Sequence, residues 1–214
     1  MWLNFIGPAP AGGSGSTQLG GMGVGTAGTT PQWPGGSQDS VWFAATGDGG
    51  SSVDWRAYSS ASGTGYPDGD PVFFATGTGN RNNTHPYYAN FGNVPIPASQ
   101  GALFASQTGN TNVGSAGFMW RTSVIEKTGN NILWTITDNN GVATPIAQVD
   151  ASTVNLGGSN ILLMSSDINA TSSSTQHGLT FALFDNVTVT PVPEPATMAV
   201  LGLGAAALLR RRRK

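Results

Sequence analysis

From about residue 40 onward, short runs of β-branched and aromatic residues alternate with clusters of Gly, Asn, Asp, Ser and Pro. Runs of this length, bounded by residues that favour turns, are typical of short antiparallel strands. No segment before Ala196 shows the repeat of about 3.6 residues that marks an amphipathic helix. The pattern predicts strands at residues 41–46, 53–59, 72–76, 103–107, 118–126, 132–138, 142–149, 161–166 and 179–190.

The strand pattern is clearest in the middle of the chain. Ile132, Trp134 and Ile136 fall on one face of a strand, and the residues between them fall on the other. Residues 139–141 (Asn-Asn-Gly) accept positive φ and predict a tight hairpin, and residues 128–131 predict the preceding turn. Three consecutive antiparallel strands are therefore expected. With the other strands and their half-polar faces, they predict an all-β fold, an antiparallel two-sheet sandwich.

The first part of the chain has a different composition. Residues 7–38 are rich in Gly, Ser, Thr, Ala and Pro and contain three Gly-Gly doublets. This composition predicts a loop or linker that is mobile or poorly packed. The predicted organisation is a low-complexity segment at 1–38, a sandwich domain at 39–190 and a separate C-terminal segment at 191–214.

Composition and charge restrict the class of function. The 214-residue chain has no cysteine, which excludes a disulfide framework and thiolate chemistry. Only 9% of residues are charged, which suits an extracellular β protein with many turns. Five of the nine basic residues lie at the C-terminus, so four basic residues oppose eleven acidic ones in the rest. This balance argues against a nucleic-acid partner, which needs a basic surface, and leaves neutral glycans and calcium open.

The C-terminal segment has three consecutive parts. Pro193, Glu194 and Pro195 make the hinge at 191–195 rigid, because proline fixes φ and lacks an amide donor, so a helix can begin only at or after Pro195. Residues 196–209 are uncharged and long enough for a helix of about 21 Å, shorter than the roughly 30 Å hydrocarbon layer. We interpret them as a transmembrane helix; a buried core helix and a helix lying flat on the membrane are the alternatives. The basic tail at 210–214 consists of Arg210, Arg211, Arg212, Arg213 and Lys214.

This order of a Pro-Glu-Pro hinge, a short apolar helix and an arginine cluster resembles the PEP-CTERM sorting signal of Gram-negative and related bacteria. The resemblance implies a partner: an exosortase, a membrane-embedded cysteine transpeptidase, would recognise residues 193–195 and cleave near them. It also implies export, a transient stay in the inner membrane through residues 196–209, and delivery to the cell surface or extracellular matrix. The positive-inside rule places the basic tail in the cytoplasm and residues 1–195 outside. A plain C-terminal anchor is the alternative.

The N-terminus does not show the signal peptide that export requires. Residues 1–6 contain no cation, and Gly7 and Pro8 interrupt their apolar run. We therefore expect the true start of the protein to lie upstream of Met1, with Phe5 and Ile6 ending a strand whose beginning is missing.

A weaker resemblance covers residues 118–190. Residues 121–126, 132–134, 161–167 and Phe184-Asp185-Asn186-Val187 follow one another as in the second half of concanavalin-like (LamG-like) jelly rolls. The resemblance implies a jelly-roll strand order for the sandwich.

The titratable residues do not form a recognisable catalytic motif. His85 and His177 lie in turn-like and loop-like stretches without a nucleophile motif beside them. Glycoside hydrolysis needs two facing carboxylates, but Glu126 and Glu194 are the only glutamates, and the second belongs to the sorting signal. The protein is therefore expected not to be an enzyme.

Calcium is the one cofactor that the acidic loops suggest. The jelly-roll resemblance implies Asp185 as a structural calcium ligand, and Asp48 precedes two glycines in an acidic loop. Because Asp-Gly is also the commonest turn dipeptide, a plain turn is the alternative at Asp48.

Loop aromatic residues are the candidates for glycan binding. Tyr87 and Tyr88, near His85, are the predicted stacking platform for a sugar ring. The alternative is that these adjacent tyrosines cover the end of the sandwich core. Trp33 is placed in a loop, whereas four other tryptophans are expected in the core: Trp42, Trp55, Trp120 and Trp134.

These features predict an exported bacterial cell-surface or extracellular-matrix protein with a non-enzymatic structural or interaction role. The alternative is a carbohydrate-binding module, with or without calcium, that binds extracellular polysaccharide.

Overall fold

The computed structural model describes residues 1–4, 17–47, 51–105, 109–169 and 178–191. Within them β-strands dominate, and the α-helical content is one helix of six residues. The elements are β1 (Trp2–Leu3), β2 (Gln18–Thr26), β3 (Val41–Thr46), β4 (Trp55–Tyr58), a 3₁₀ turn (Pro86–Tyr88), α1 (Ala98–Leu103), β5 (Ser123–Thr128), β6 (Asn131–Thr137), β7 (Ala143–Asp150), a 3₁₀ turn (Ala151–Thr153), β8 (Asn160–Asp167) and β9 (Ala182–Leu183).

In the described ranges the strands form three antiparallel sheets. The largest has the order β4-β3-β2-β8, the second is the meander β5-β6-β7, and β1 pairs with β9. The described part of the chain is therefore all-β, as predicted. The membrane helix predicted at 196–209 lies outside the described residues.

The two larger sheets face each other across one apolar core. Trp134 of β6 lies between two rings of the other sheet, with centroids 5.4 Å from Phe43 and 5.9 Å from Trp55. Aromatic side chains bury more area than any others, so these ring contacts are the main stabilising contacts between the two sheets. Aliphatic side chains complete the core: Val41, Ala45, Ala57, Ile132, Ile136, Ile146 and Val149.

A second apolar cluster covers the opposite face of the four-stranded sheet. The rings of Trp42 and Tyr58 stack with centroids 3.9 Å apart, and Leu19 and Ala44 are buried beside them. The indole Nε1 of Trp42 donates a hydrogen bond of 2.6 Å to Gln38 Oε1. This sheet is therefore apolar on both faces, which explains why all six residues of β3 are buried.

The predicted three-stranded meander is confirmed. Ile132, Trp134 and Ile136 are fully buried, and the positions between them are partly exposed. Gly129 and Gly141 have φ of 57° and 78° in the two connecting turns. Positive φ at these positions is what the hairpin prediction required.

Part of the glycine-rich segment at 7–38 is a strand, contrary to the prediction. Residues 18–26 are not a mobile linker: they form β2, which lies in the interior of the four-stranded sheet between β3 and β8. Its glycines allow close approach by neighbouring groups, since a Cβ at Gly25 would lie 2.7 Å from Leu156 Cδ2. Low β-propensity concealed this strand, because glycine has no side chain to show the alternation.

Three other predicted strands differ from the structure. Residues 72–76 make one isolated bridge, Phe73 to Ala147, rather than a strand. Pro97 precedes a helix at Ala98–Leu103 where a strand was predicted to begin at 103. The last predicted strand, 179–190, is reduced to Ala182–Leu183.

Candidate functional site

The predicted tyrosine platform lies at one end of the core. His85 caps the 3₁₀ turn Pro86–Tyr88, and its Nδ1 accepts a hydrogen bond of 3.2 Å from the Tyr87 amide. Tyr88 is fully buried: its ring centroid lies 4.9 Å from that of Trp55, and its hydroxyl donates to Asn80 O at 2.7 Å. Burial raises the pKa of Tyr88 well above its ordinary range.

Tyr87 is half-buried against Tyr88. The two rings meet edge to face with centroids 5.3 Å apart, and the Tyr87 hydroxyl donates to Pro145 O at 2.7 Å. Desolvation by burial raises the pKa of Tyr87 as well. This placement corrects the picture of an exposed pair: Tyr88 presents no ring face to a sugar, and the two tyrosines close the end of the core.

A shallow depression of about 430 Å³ lies beside this turn. Among the described residues that line it, His85 is the titratable one, and the Nε2 of its ring lies 3.2 Å from Thr76 O. The imidazole of His85 thus contacts the Thr76 carbonyl through Nε2 and caps the 3₁₀ turn through Nδ1. The remaining lining residues are Asn83, Thr84, Pro86, Ala89, Asn112 and Val113.

A buried carboxylate, Asp54, holds the loop that carries His85. Its Oδ1 accepts a hydrogen bond from Thr46 Oγ1 at 2.7 Å, and its Oδ2 accepts one from the Asn83 amide at 2.8 Å. These two bonds fix the loop against β3 and β4. Sequence reasoning missed this residue because nothing local distinguishes it from the surface aspartates.

Arg121 is a second buried charge that the sequence did not reveal. Its guanidinium lies 5.0 Å from the ring centroid of Phe91, and its Nε donates to Ala116 O at 3.3 Å. Burial lowers its pKa to about 10, although the charge of Asp138 acts in the opposite direction. The favourable contact between a cation and an aromatic face offsets part of the cost of this burial.

Asp185, the first predicted calcium ligand, is exposed at the end of β9. Its Oδ1 accepts a hydrogen bond of 2.7 Å from the Asn186 amide, and Asn186 has a positive φ of 52°. Burial lowers the pKa of the Met1 amino group, and the negative charge of Asp185 opposes that shift. Within the described residues no group of three or more His, Asp or Glu side chains is placed to hold a metal ion. Asp48, the second predicted ligand, lies outside the described residues.

Two tryptophans are exposed. Trp33 is 58% exposed and is held in a turn in which Gly36 N donates to Trp33 O at 3.0 Å, with Gly35 at φ 84°. Trp120 is 52% exposed, so its predicted place in the core is wrong. It precedes β5 in a stretch without regular strand structure, where the alternation of faces does not apply. Trp42, Trp55 and Trp134 are fully buried, as predicted.

Among the residues described, no helix has the length and apolar character needed to cross a bilayer. The predicted sorting residues Pro193, Glu194 and Pro195, and the cluster from Arg210 to Arg213, lie outside the described residues.

Comparison with known proteins bears on this C-terminal segment. Residues 191–214 match the family model of the PEP-CTERM protein-sorting motif. No curated protein and no solved structure matches the chain significantly. The match confirms the resemblance drawn from the hinge, the apolar stretch and the arginine cluster. Residues 191–214 are therefore a PEP-CTERM sorting motif, which implies export of the protein and its processing by an exosortase, a membrane enzyme.

Proposed function

We propose that this protein is an exported component of the cell surface or extracellular matrix with a structural or interaction role and no reaction of its own. The observation that carries the proposal is the sorting motif at residues 191–214. In this proposal residues 196–209 enter the inner membrane transiently, the exosortase acts near residues 193–195, and the β domain is delivered outside.

The roles of the polar side chains support a non-enzymatic function. Asp54 and His85 hold loop backbone, as described above. Both carboxylate oxygens of Asp68 accept from the Gly79 amide at 3.0 and 2.9 Å, and Glu126 accepts from Thr128 Oγ1 at 3.2 Å. These acids and this histidine are thus engaged in local structure, whereas a general acid or base must face a substrate.

Sorting and folding can be tested separately. We expect replacement of Arg210, Arg211, Arg212 and Arg213 by serine, or of residues 193–195 by alanine, to reduce the surface fraction strongly in a bacterium that has an exosortase. The thermal midpoint of the β domain should not change. Lys127→Ser is the matched control, because Lys127 is an exposed cation outside the motif. Unaltered surface delivery of both motif variants would refute the proposal.

We also propose that the two sheets form a jelly roll of the concanavalin-like (LamG-like) kind. Two facing antiparallel sheets around one core support this assignment. An experimental structure whose strand connections differ from that topology would refute it.

Carbohydrate binding is the second candidate, and the exposed tryptophans are the observation that favours it. Apolar ring faces with a polar rim are suited to stacking on sugars. We expect binding to an extracellular polysaccharide, measured by pull-down, to fall with Trp33→Ala or Trp120→Ala and to persist with Val142→Ala, an exposed aliphatic control. Equal binding by all variants would refute these sites.

Calcium at Asp185 stays a prediction within this second candidate. If it binds there, EDTA should lower the thermal midpoint of the wild-type protein and leave that of Asp185→Asn unchanged. An equal response of both proteins would refute the site.

A further inference from the structure

The meander ends in two buried charged residues, Arg121 and Asp138, which are 4% and 3% exposed. Just before them, Thr137 N donates to Thr122 O at 3.0 Å, in register with the ladder between β5 and β6. One position further along, Arg121 therefore lies opposite Asp138. Residues directly opposite each other in antiparallel strands have Cβ atoms about 4.5–5.5 Å apart. The two charged side chains are thus neighbours at one end of the core.

Four buried polar atoms at this point have no hydrogen-bond partner among the described residues. They are Nη1 and Nη2 of Arg121, Oδ2 of Asp138 and Oδ1 of Asn139. Burial lowers the pKa of Arg121 and the negative charge of Asp138 opposes that shift, so the two charges interact although these atoms share no direct hydrogen bond. Buried polar groups are nearly always hydrogen-bonded to protein or to ordered water. The four atoms therefore point to a ligand.

Contacts with one loop bring Arg121 and Asn139 together. The guanidinium of Arg121 lies 5.0 Å from the ring centroid of Phe91, and its Nε donates to Ala116 O at 3.3 Å. The Nδ2 of Asn139 donates to the carbonyl of Gly92, the residue after Phe91. This bond also identifies the other terminal atom of the Asn139 side chain as its oxygen. Both side chains are therefore anchored at residues 91–92, with their unpartnered atoms left for a ligand.

Asp138 uses only one of its two carboxylate oxygens for the hairpin between β6 and β7. Its Oδ1 accepts hydrogen bonds from the amides of Asn140 and Val142 at 2.8 and 3.0 Å. Its Oδ2 has no such role and is buried. A ligand that joins this oxygen to Arg121 would connect the hairpin to the segment before β5. Through Asn139 it would also connect both of them to the loop at 91–92.

The chemistry of the four atoms identifies the ligand. A guanidinium only donates hydrogen bonds, whereas carboxylate and amide oxygens accept them. An anion would be repelled by the two oxygens and a cation by the guanidinium, so the ligand is neutral and both accepts and donates. Because all four atoms are buried, it must also be small. A buried water typically has two to four polar partners and fits these conditions. We propose that a water molecule is bound between Arg121, Asp138 and Asn139, where it bridges the guanidinium to the two oxygens.

A high-resolution crystal structure of the full chain tests this site directly. We expect a water peak at hydrogen-bond distance, about 2.7–3.2 Å, from both the Arg121 guanidinium and Asp138 Oδ2. Crystals soaked in bromide should show no anomalous signal at this position, because the two oxygens exclude an anion. A direct contact between the guanidinium and the carboxylate, a site without a water peak, or a bromide signal there would each overturn the proposal.

A double-mutant cycle, measured by urea unfolding, tests the bridge in solution. Arg121→Met removes the donors, and Asp138→Asn replaces Oδ2 while it keeps the oxygen that caps the hairpin. Because both groups bind the same water, we expect their combined effect on the unfolding constant to depart from the product of the single effects by at least about fivefold.

The matched control cycle combines Asp138→Asn with Lys127→Met, since Lys127 is an exposed cation at the far end of β5. This cycle should stay within about twofold of that product. Independent effects in the Arg121 cycle, or equal departures in both cycles, would overturn the bridge. If Arg121→Met does not fold, the crystal structure decides the question, because it uses the wild-type chain.

Discussion

Truncation of Tyr88 is the sharpest test of the closed core end. The ring is fully buried against Trp55, and its hydroxyl bonds to the carbonyl of Asn80, which is itself buried. Tyr88→Ala removes the ring and leaves a cavity, and large aromatic truncations of this kind cost about 3–5 kcal/mol of unfolding free energy. For a domain of about 150 residues, each kcal/mol of lost unfolding free energy lowers the thermal midpoint by about 2–4 °C. The midpoint of Tyr88→Ala should therefore fall by about 6–20 °C.

Two conservative variants separate the ring from its hydroxyl. Tyr88→Phe keeps the packing but leaves the Asn80 carbonyl without its partner, and we expect a loss of about 1–3 kcal/mol. Tyr87→Phe removes a hydrogen bond at a half-buried site, where water can replace it, and should cost less than Tyr88→Phe.

The assay is urea unfolding followed by tryptophan fluorescence, with the β domain's near-ultraviolet circular dichroism as a second probe. The expected order of stability is wild type, Tyr87→Phe, Tyr88→Phe and Tyr88→Ala. A Tyr88→Ala protein within about 1 kcal/mol of wild type would refute the buried placement, since exposed substitutions usually stay within about 0.5 kcal/mol. If Tyr88→Ala loses glycan binding and the other tyrosine variants keep it, the loss is explained by unfolding of the domain and not by a missing sugar contact.

Three further outcomes are expected. Gly23→Ala should lower the unfolding free energy by about 1–3 kcal/mol, because the new Cβ meets the backbone and Cβ of β3, whereas Gly178→Ala, with open space around it, should not; equal melts would contradict the packing of β2. Asp54→Ala should lower the unfolding free energy by about 2–4 kcal/mol, because it leaves two buried donors unsatisfied, and Asp54→Asn should lower it less. Urea unfolding that ranks the two variants in the opposite order would contradict this role. The pKa of Asp150 is lowered first by the side-chain hydrogen bond of Ser152, so its contribution is present above the ordinary value of 3.8 and is lost as pH falls through the lower folded value. An NMR carboxyl titration should therefore show a low midpoint that Ser152→Ala raises, and an unchanged midpoint in that variant would contradict the assignment.

The parts of the fold that sequence predicts are those in which side chains report the strand. β3 was located to the residue, and the alternation of Ile132, Trp134 and Ile136 identified the buried face of β6. β2 was missed because it is rich in glycine, which shows no alternation of side chains. These glycines leave space into which neighbouring side chains such as Leu156 pack. Whether a glycine run is a linker or a close-packed strand depends on residues distant in sequence.

The candidate sites show the same limit. Tyr87 and Tyr88 were predicted to be exposed because they follow a turn. The ring of Tyr88 instead packs in the core against Trp55, which lies more than thirty residues earlier in the chain. The exposure of Trp120 was missed because regular alternation does not continue outside β5. The sorting motif was identified correctly because its hinge, apolar stretch and cations are consecutive, so no tertiary contact is needed to recognise it.

The pairing of β2 with β8 has a consequence for the order of events during synthesis. The amide of Thr17 bonds to the carboxylate of Asp167, 150 residues later, and the ladder between them runs the length of both strands. A glycine-rich strand has little tendency to form before its neighbours arrive, and contacts this distant along the chain close slowly. The largest sheet therefore cannot be completed until β8 has left the ribosome, so this sheet stays open during most of the synthesis of a chain that is exported.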